Sequence, residues 1–426
     1  MKLIIIFFLI LSFNSFADSD GVCEAVGIDS EKFTTYSWEM SQMCIDPYSI
    51  ICEKDNAKEN FKARSTRYIK RASDQAGQIV YERNKSVLNS FGIDHVDDKN
   101  YDDIFKFHQN ECFDDNLFQC HLGQLEFDPN VPSWFKDDLE EQFLGEFYKA
   151  INQELDPMID RLSEAFNIVK SSLIQIVEEE LKGRVSNKKL KDIIHKLAVT
   201  KGVFSSSNKS MQQNFPFLSE MDRENIRMSY ESFCFRGINS SINAMFYKDK
   251  IKGREFDITM FCPVDYLGGV GEAKSLLSVF NSMALIISHE LGHQVNETLK
   301  HSNVFRNFNS CMDKHFSKEK LAGPSKGYDS EGQADYWAKR VIGEHLNLLK
   351  DSPYEDKLEF IKETSIILCE TEDDSVHHPG RLRINRALKM TRAFMQAFDC
   401  SQRVEVKDDG KSIDCSLHGV DFAKIY

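Results

Sequence analysis

Residues 136 to 200 carry apolar side chains at a spacing that is typical of amphipathic helices. An apolar residue occupies every fourth position from Leu139 to Leu155, and the stripe then continues to Val177. Its members are Leu139, Phe143, Phe147, Ile151, Leu155, Ile159, Leu162, Phe166, Val169, Leu173 and Val177. Because proline cannot continue a helix, Pro157 predicts a break near residues 155 and 156. We expect the stripe to pack against the rest of the protein; a face that binds a partner or a membrane surface is the alternative.

Three other segments predict regular structure. A helix is expected around residues 58 to 91. Residues 242 to 247 and 256 to 261 are short, β-leaning runs, and the charged, glycine-containing stretch between them predicts a hairpin. A long helix is expected to follow, with Asn281 capping a part that runs from residue 282 to about 299.

The first residues have the pattern of a secretory signal peptide. Lys2 precedes an unbroken apolar run at residues 3 to 13, and small residues at 15 and 17 favour cleavage after Ala17. The run is too short to span a bilayer. The mature chain is therefore expected to have no membrane span and to be periplasmic or secreted; an N-terminal anchor that stays uncut is the alternative.

The net charge of the chain is -14 at pH 7. Nucleic acids and anionic lipids bind proteins that present clustered lysine and arginine side chains. Such a negative balance therefore argues against nucleic acid or an anionic membrane as the main partner.

Eleven cysteines in a chain with an export signal predict disulfide bonds. They include no Cys-x-x-Cys pair, which argues against a zinc ribbon or a redox motif. Cys44 with Cys52 and Cys112 with Cys120 share one spacing and could close small loops, although the sequence does not fix the connectivity. The odd number leaves at least one thiol unpaired or intermolecular.

The segment 289 to 293, His-Glu-Leu-Gly-His, carries a pattern of metal chemistry. On a helix, His289 and His293 project from the same face one turn apart, so both imidazoles can reach one ion. Glu290 follows the first histidine, where its carboxylate can take a proton from a water at the metal. The pair supplies half of a zinc site; two helix histidines satisfied by hydrogen bonds are the alternative.

A second motif, Glu-Gly-Gln-Ala-Asp at residues 331 to 335, lies on a helix predicted to run through Val341. A catalytic zinc needs three protein ligands and an open position, and Glu331 can supply the third ligand. Asp335 follows one turn later, where it can accept a hydrogen bond from a ligand imidazole and fix its tautomer. Small Gly332 and Ala334 would allow the two helices to approach closely. Without the histidine pair, the two carboxylates would indicate only a solvated acidic face.

Together these motifs resemble those of the gluzincin family of zinc endopeptidases that includes HtpX-type membrane proteases, the CAAX prenyl endopeptidase and BepA-type periplasmic proteases. The family combines His-Glu-x-x-His with Glu-x-x-Ala-Asp, as at residues 289 to 293 and 331 to 335. Its Asn-Ala strand is similar to residues 243 to 246, and its His-Pro followed by Arg-Ile is similar to residues 378 to 384. The last interval is one residue shorter here, so His377 and His378 are both candidates for the active-site position.

The resemblance, which covers about residues 242 to 387, implies a full set of site residues around one Zn²⁺ ion. The implied zinc ligands are His289, His293 and Glu331. The implied catalytic residues are Glu290 as general base, with His378 and Arg383 facing the substrate or the developing oxyanion. Asp335 would orient a ligand, and Asn243 and Ala244 would lie on the substrate-binding strand. For His378 and Arg383, the alternative is a helix start with a surface charge.

These observations predict a mostly helical α+β fold, with a zincin-like catalytic domain that contains a small sheet and a helical N-terminal region. A polar stretch at residues 205 to 210 is expected to link the two. The expected regions are a signal peptide at 1–17, a Cys-containing region at 18–135, a helical region at 136–210, a zinc metallopeptidase domain at 211–395 and a C-terminal tail at 396–426.

The predicted function is an exported zinc metalloendopeptidase that acts on protein or peptide substrates, with envelope protein quality control as its context. An envelope partner could bind the N-terminal helical region. A zinc-stabilised chaperone-like or scaffold protein and a metal-dependent amidase acting on cell-wall peptides are the alternatives. Residues 18 to about 200 could instead be a propeptide that covers the cleft.

Overall fold

The protein is mostly helical, with one small mixed sheet, so the predicted α+β class is confirmed. The computed structural model describes residues 39–90, 105–106, 126–127, 133–236, 244–251, 254–271, 273–300, 302–310, 328–370, 380–384, 391–400, 412–416 and 419–423. The helices are α1 (Ala57–Ser90), α2 (Ser133–Leu155), α3 (Ile159–Leu181), α4 (Asn187–Val199), α5 (Asn208–Asn214), α6 (Glu220–Arg236), α7 (Pro263–Val270), α8 (Leu276–Leu299), α9 (Tyr328–Leu348), α10 (Tyr354–Ser365), α11 (Gly380–Leu382) and α12 (Arg392–Ala397). Shorter helical turns lie at Ser49–Glu53, Lys54–Asn56 and Ile366–Glu370. The strands are β1 (Phe105–Lys106), β2 (Glu126–Phe127), β3 (Lys201–Val203), β4 (Ala244–Ile251), β5 (Arg254–Phe261), β6 (Ser412–Ser416) and β7 (Gly419–Ala423).

The apolar stripe of residues 136 to 200 lies inside the protein. The break predicted at Pro157 is confirmed, since α2 ends at Leu155 and α3 begins at Ile159. All members of the stripe are 3% exposed or less. The stripe is buried where α2 packs on α1 and α3 packs on α8. Side chains this deeply buried cannot meet a partner or a membrane, so the alternative interpretation of the stripe is wrong.

The mixed sheet has the strand order β3-β5-β4, with β3 parallel and β4 antiparallel to the central β5. The predicted hairpin is confirmed, and its strands reach further into the charged stretch than the sequence predicts. Lys248 lies opposite Asp257 at the start of this extension. An oppositely charged cross-strand pair of this kind stabilises a hairpin, which favours the longer strands.

Strands on both sides of the boundary expected at residue 210 belong to this one sheet, because β3 precedes it and β5 follows it. The polar stretch expected as a link is buried, with Ser205 and Ser210 fully covered. Beside it, the rings of Phe204 and Phe261 stack at 4.7 Å, and Phe166 of α3 meets both edge-on. The helical region therefore shares a core with the sheet, while the exact domain boundaries stay predictions.

Six of the described cysteines form three disulfides, which confirms the prediction of disulfide bonds: Cys44–Cys400, Cys52–Cys369 and Cys234–Cys262. The prediction of a small loop closed by a Cys44–Cys52 bond is wrong, because Cys44 and Cys52 each form a disulfide with a cysteine in the C-terminal part of the chain. Cys112 and Cys120 lie outside the described residues. Disulfides of this kind are typical of proteins that fold in an oxidising compartment.

The helix α8 starts earlier than the sequence predicts. It begins at Leu276, and the side chain of Ser275 caps it by accepting a hydrogen bond from the Ser278 backbone amide at 3.1 Å. The expected cap at Asn281 is therefore wrong. Asn281 lies within the helix, and its side-chain amide donates to the carboxylate of Glu363 at 2.7 Å.

Within the described residues, no helix combines the length and apolar character needed to cross a membrane. The expected signal peptide at residues 1–17 lies outside the described residues.

Candidate metal centre

The site is built where α8 and α9 cross in direct backbone contact. A Cβ atom on Gly292 would lie 3.1 Å from the carbonyl oxygen of Ala334 and 3.2 Å from its Cα. The predicted close approach through Ala334 is therefore confirmed, with Gly292 as its counterpart on α8. One turn further along, the indole N–H of Trp337 donates to the side-chain oxygen of Asn296 at 3.0 Å. This contact brings His289 and His293 on α8 against Glu331 and Asp335 on α9.

Three potential ligand atoms form a compact triangle between the helices. The Nε2 atom of His289 lies 3.1 Å from the Oε2 atom of Glu331 and 3.2 Å from the Nε2 atom of His293. The third edge, from His293 Nε2 to Glu331 Oε2, is 3.4 Å. Tetrahedral bonds of about 2.0–2.1 Å to one ion would place neighbouring ligand atoms about 3.3–3.4 Å apart. The triangle therefore has the size that a single metal ion requires.

Glu290 contributes a second carboxylate beside the histidines. Ligand atoms of His289, Glu290 and His293 all lie within 4.8 Å of one another, so this group could bind a metal ion. The Glu331 oxygen is closer to both imidazoles, which makes Glu331 the better third ligand. Glu290 is 8% exposed, so its carboxylate is buried beside the triangle.

Asp335 orients His289. Its Oδ1 atom lies 2.9 Å from Nδ1 of the imidazole. A proton on Nδ1, donated to this carboxylate, leaves the lone pair of Nε2 directed toward the triangle. The sequence predicted this role for Asp335, and the contact is of the kind that holds a metal-binding imidazole in one tautomer.

Arg383 binds Asp335 from the other side. Its Nε atom donates to Oδ2 at 2.9 Å and its Nη2 atom donates to Oδ1 at 2.5 Å, which makes a two-pronged ion pair. Arg383 is only 9% exposed, so the alternative of a surface charge is wrong. The resemblance placed this guanidinium at the substrate; the structure places it on Asp335, and a substrate contact stays a prediction.

The charges of the site shift the pKa values of its members. Burial by itself would lower the pKa of His289, but the hydrogen bonds with Asp335 and Glu331 outweigh burial and raise it to about 9. Burial would raise the pKa of Glu331, yet its bonds with His289 and His293 hold that pKa well below its usual range. Burial would also raise the pKa of Asp335, but the positive charge of Arg383 and the hydrogen bond with His289 outweigh burial and lower that pKa. The metal-free site thus favours ionised carboxylates and a protonated His289.

Of the remaining predicted site residues, only Ala244 lies in the part of the chain that the structure describes. Ala244 is the first residue of β4, is 5% exposed and pairs with Phe261 on β5. Its strand contacts α8, so the sheet lies beside the helix that carries the histidines. Asn243, His377 and His378 lie outside the described residues, and their roles stay predictions.

Sequence reasoning did not find Gln294, which connects α8 to the sheet directly after His293. Its side-chain amide donates to Asp257 on β5 at 2.9 Å and accepts from the Thr200 hydroxyl at 2.8 Å. Lys248 on β4 also pairs with Glu297 on α8 at 2.6 Å. These contacts fix the spacing between the sheet and the histidines. No motif signals them, because Gln294 and its partners are far apart in sequence.

No protein-family model matches this chain, and no curated protein matches it in a sequence comparison.

Proposed function

We propose that the protein is an exported zinc metallopeptidase, periplasmic or secreted, that hydrolyses peptide bonds. The observation that carries the proposal is the triangle of His289, His293 and Glu331, with edges of 3.1 to 3.4 Å, beside the buried carboxylate of Glu290. Two imidazoles and one carboxylate are a donor set of catalytic zinc sites, in which a fourth position stays open for water or substrate. The resemblance of both motifs to the gluzincin endopeptidases supports the same assignment.

The bound zinc would supply Lewis acidity, which makes a water easier to deprotonate and polarises the carbonyl of the substrate. Glu290 accepts one proton from the water while the water oxygen attacks the carbonyl carbon of the substrate. The same carboxyl group then delivers this proton to the amide nitrogen, so that the C–N bond breaks and a neutral amine leaves. Asp335 and Arg383 keep the His289 imidazole in the orientation that presents Nε2 to the site.

The substrate would bind along β4. This strand lies at the end of the sheet order, and its outer edge has no strand partner among the described residues. An extended peptide can add to such an edge through backbone hydrogen bonds, which bind many sequences with little selectivity. Because β4 contacts α8, a peptide on this edge would lie near the helix that carries Glu290.

The first experiment measures metal content and peptide hydrolysis together. We expect the purified wild type to contain about one zinc per chain and to cleave unfolded casein. Glu290→Gln should keep its zinc and lose hydrolysis, because it retains the fold and removes the base. Glu178→Gln, which changes an exposed carboxylate on α3, is the matched control and should behave as the wild type.

Four results would contradict the proposal. Casein cleavage by the Glu290 variant at the parental rate would exclude Glu290 as the base. Iron in place of zinc would indicate an oxygenase, because two histidines and a carboxylate also hold iron. Zinc lost from the Glu290 variant would make Glu290 a fourth ligand, as in the closed site of a scaffold protein. Cleavage of cell-wall peptides without cleavage of casein would identify an amidase.

A further inference from the structure

Arg383 lies on a short segment that other parts of the chain hold in place. The segment 380–384 falls between Cys369 and Cys400, and both cysteines are bonded to the N-terminal part of the described chain. At its start, Gly380 sits directly on the backbone of Leu368, so that any Cβ there would overlap the Leu368 carbonyl oxygen. The position of Arg383 thus depends on the elements around these two cysteines.

Residues 39–56, which we name the clamp segment, contact this region through side chains as well as disulfides. Arg381 pairs with Glu53 at 2.9 Å, and its guanidinium lies over the ring of Tyr48, 5.0 Å from the centroid. The Tyr48 hydroxyl donates to the carbonyl oxygen of Cys369 at 3.4 Å. The clamp segment therefore holds residues on both sides of Gly380.

We propose that the clamp segment is a working part of the metal centre, because it positions Arg383 on Asp335 and thereby Asp335 on His289. The contacts form an unbroken series. Cys52 is bonded to Cys369, Gly380 packs against the backbone of the neighbouring Leu368, and Arg383 follows Gly380 by three residues. This inference extends the proposed metal site but does not require that the site hydrolyse peptides.

The same contacts oppose a removable propeptide. Cleavage of the chain after residue 56 would leave the clamp segment attached through Cys44–Cys400 and Cys52–Cys369. Further along, α3 packs on α8, the helix that carries both histidines. The clamp segment and α3 are thus supports of the site, and their removal would weaken the site.

The two kinds of contact contribute differently. The side chains of Arg381 and Glu53 are each 55% exposed, and exposed ion pairs contribute little to stability. The disulfides restrict the chain covalently, and Cys44, Cys52, Cys369 and Cys400 are all buried. We therefore expect the disulfides to carry most of the effect on the metal site and Arg381 to carry a smaller share.

The test compares zinc affinity in full-length oxidised protein, measured by competition with a chelating dye. Cys52→Ser/Cys369→Ser and Cys44→Ser/Cys400→Ser should each bind zinc about tenfold more weakly, within the ~10–100-fold that the loss of a ligand's hydrogen-bond partner costs. Cys234→Ser/Cys262→Ser removes the disulfide that links α6 to the residue between β5 and α7, and it is the matched control. It should leave zinc affinity unchanged. Circular dichroism checks that each variant is folded.

A double-mutant cycle separates positioning from general stability. Arg383→Gln should weaken zinc binding at least as much as loss of the Cys52–Cys369 disulfide does. Adding the Cys52/Cys369 change to Arg383→Gln should cause no further loss of zinc affinity, because both changes act through Asp335. Should a cysteine variant fail to fold, Arg381→Glu keeps every disulfide and places a like charge against Glu53. Arg381→Glu should weaken zinc binding about threefold, because it disturbs the segment that carries Arg383. Arg227→Glu on α6 is its control and should leave zinc binding unchanged.

Unchanged affinity in the clamp variants, an equal loss in the Cys234/Cys262 control, or losses that add fully to that of Arg383→Gln would each overturn the inference. A protein that shows the expected pattern of affinities but never cleaves casein would support the clamp and refute the proposed peptidase. An active peptidase whose clamp variants keep unaltered zinc affinity would support the proposed peptidase and refute the role of the clamp segment.

Discussion

Gly292→Ala tests whether the contact between α8 and α9 sets the dimensions of the metal site. The added methyl group would lie 3.1 and 3.2 Å from backbone atoms of Ala334 and 3.2 Å from Cδ1 of Trp337. Ordinary carbon contacts lie at about 3.5–4.0 Å. Two of the three atoms belong to the backbone and cannot rotate away, so α9 must move outward by a few tenths of an ångström.

Two effects of opposite sign decide the change in stability. Overpacking a core typically costs about 1–3 kcal/mol. Alanine is also the better helix former, which contributes about 0.8–1 kcal/mol in favour of the variant. Gly145→Ala on α2 isolates the second effect, because a Cβ there meets no atom within 4 Å. The difference between the two variants, about 1–3 kcal/mol, then measures the cost of packing alone.

Urea denaturation of both metal-free variants, followed by circular dichroism, gives the two changes in unfolding free energy. We expect Gly145→Ala to stabilise the protein and Gly292→Ala to destabilise it relative to that control. Zinc affinity should fall only in Gly292→Ala, because the outward shift of α9 carries Glu331 away from the imidazoles. Equal stabilisation by both substitutions, with zinc affinity unchanged, would refute the close crossing of the helices.

Other perturbations address the hydrogen bonds, the pH dependence and the core. Asp335→Asn should weaken zinc binding by about 10–100-fold in calorimetry, and parental affinity would exclude its role on His289. Because the pKa of His289 is raised to about 9 in the folded protein from 6.5, its stabilisation is complete below pH 6.5 and is lost as the pH rises to 9. Metal-free wild type should lose stability over that interval relative to His289→Gln, and a constant difference would contradict this. Phe147→Ala should cost about 3–5 kcal/mol in urea denaturation, whereas a small cost would return the stripe to a partner-binding role.

Much of the helical framework could be predicted because its signals are local. The period of the stripe and the effect of Pro157 located the break between α2 and α3, and the hairpin followed from two β-leaning runs. The two motifs also placed four side chains that do meet. Helix periodicity sets which residues share a face, so His289 and His293 had to project together once α8 formed.

The remaining features depend on contacts between residues that are distant in sequence. Nothing local relates Cys52 to Cys369, and equal spacing suggested a small loop that does not exist. Asn281 has good capping chemistry, but Ser275 precedes it and caps a longer helix. Gly292 did carry an available signal, since a glycine inside a helix costs about 1 kcal/mol relative to alanine and usually has a packing reason.

Charge balance gives an independent argument that the site is built for a cation. Among the described residues of the site, and with neutral histidines, the carboxylates of Glu290, Glu331 and Asp335 face the single positive charge of Arg383, which leaves two formal negative charges at a largely covered site. Uncompensated buried charge is expensive, so the metal-free protein offsets part of it by keeping a proton on His289. A divalent ion in the triangle would displace that proton and balance both charges. The same electrostatic need therefore explains the proton that His289 holds and the metal that we propose replaces it.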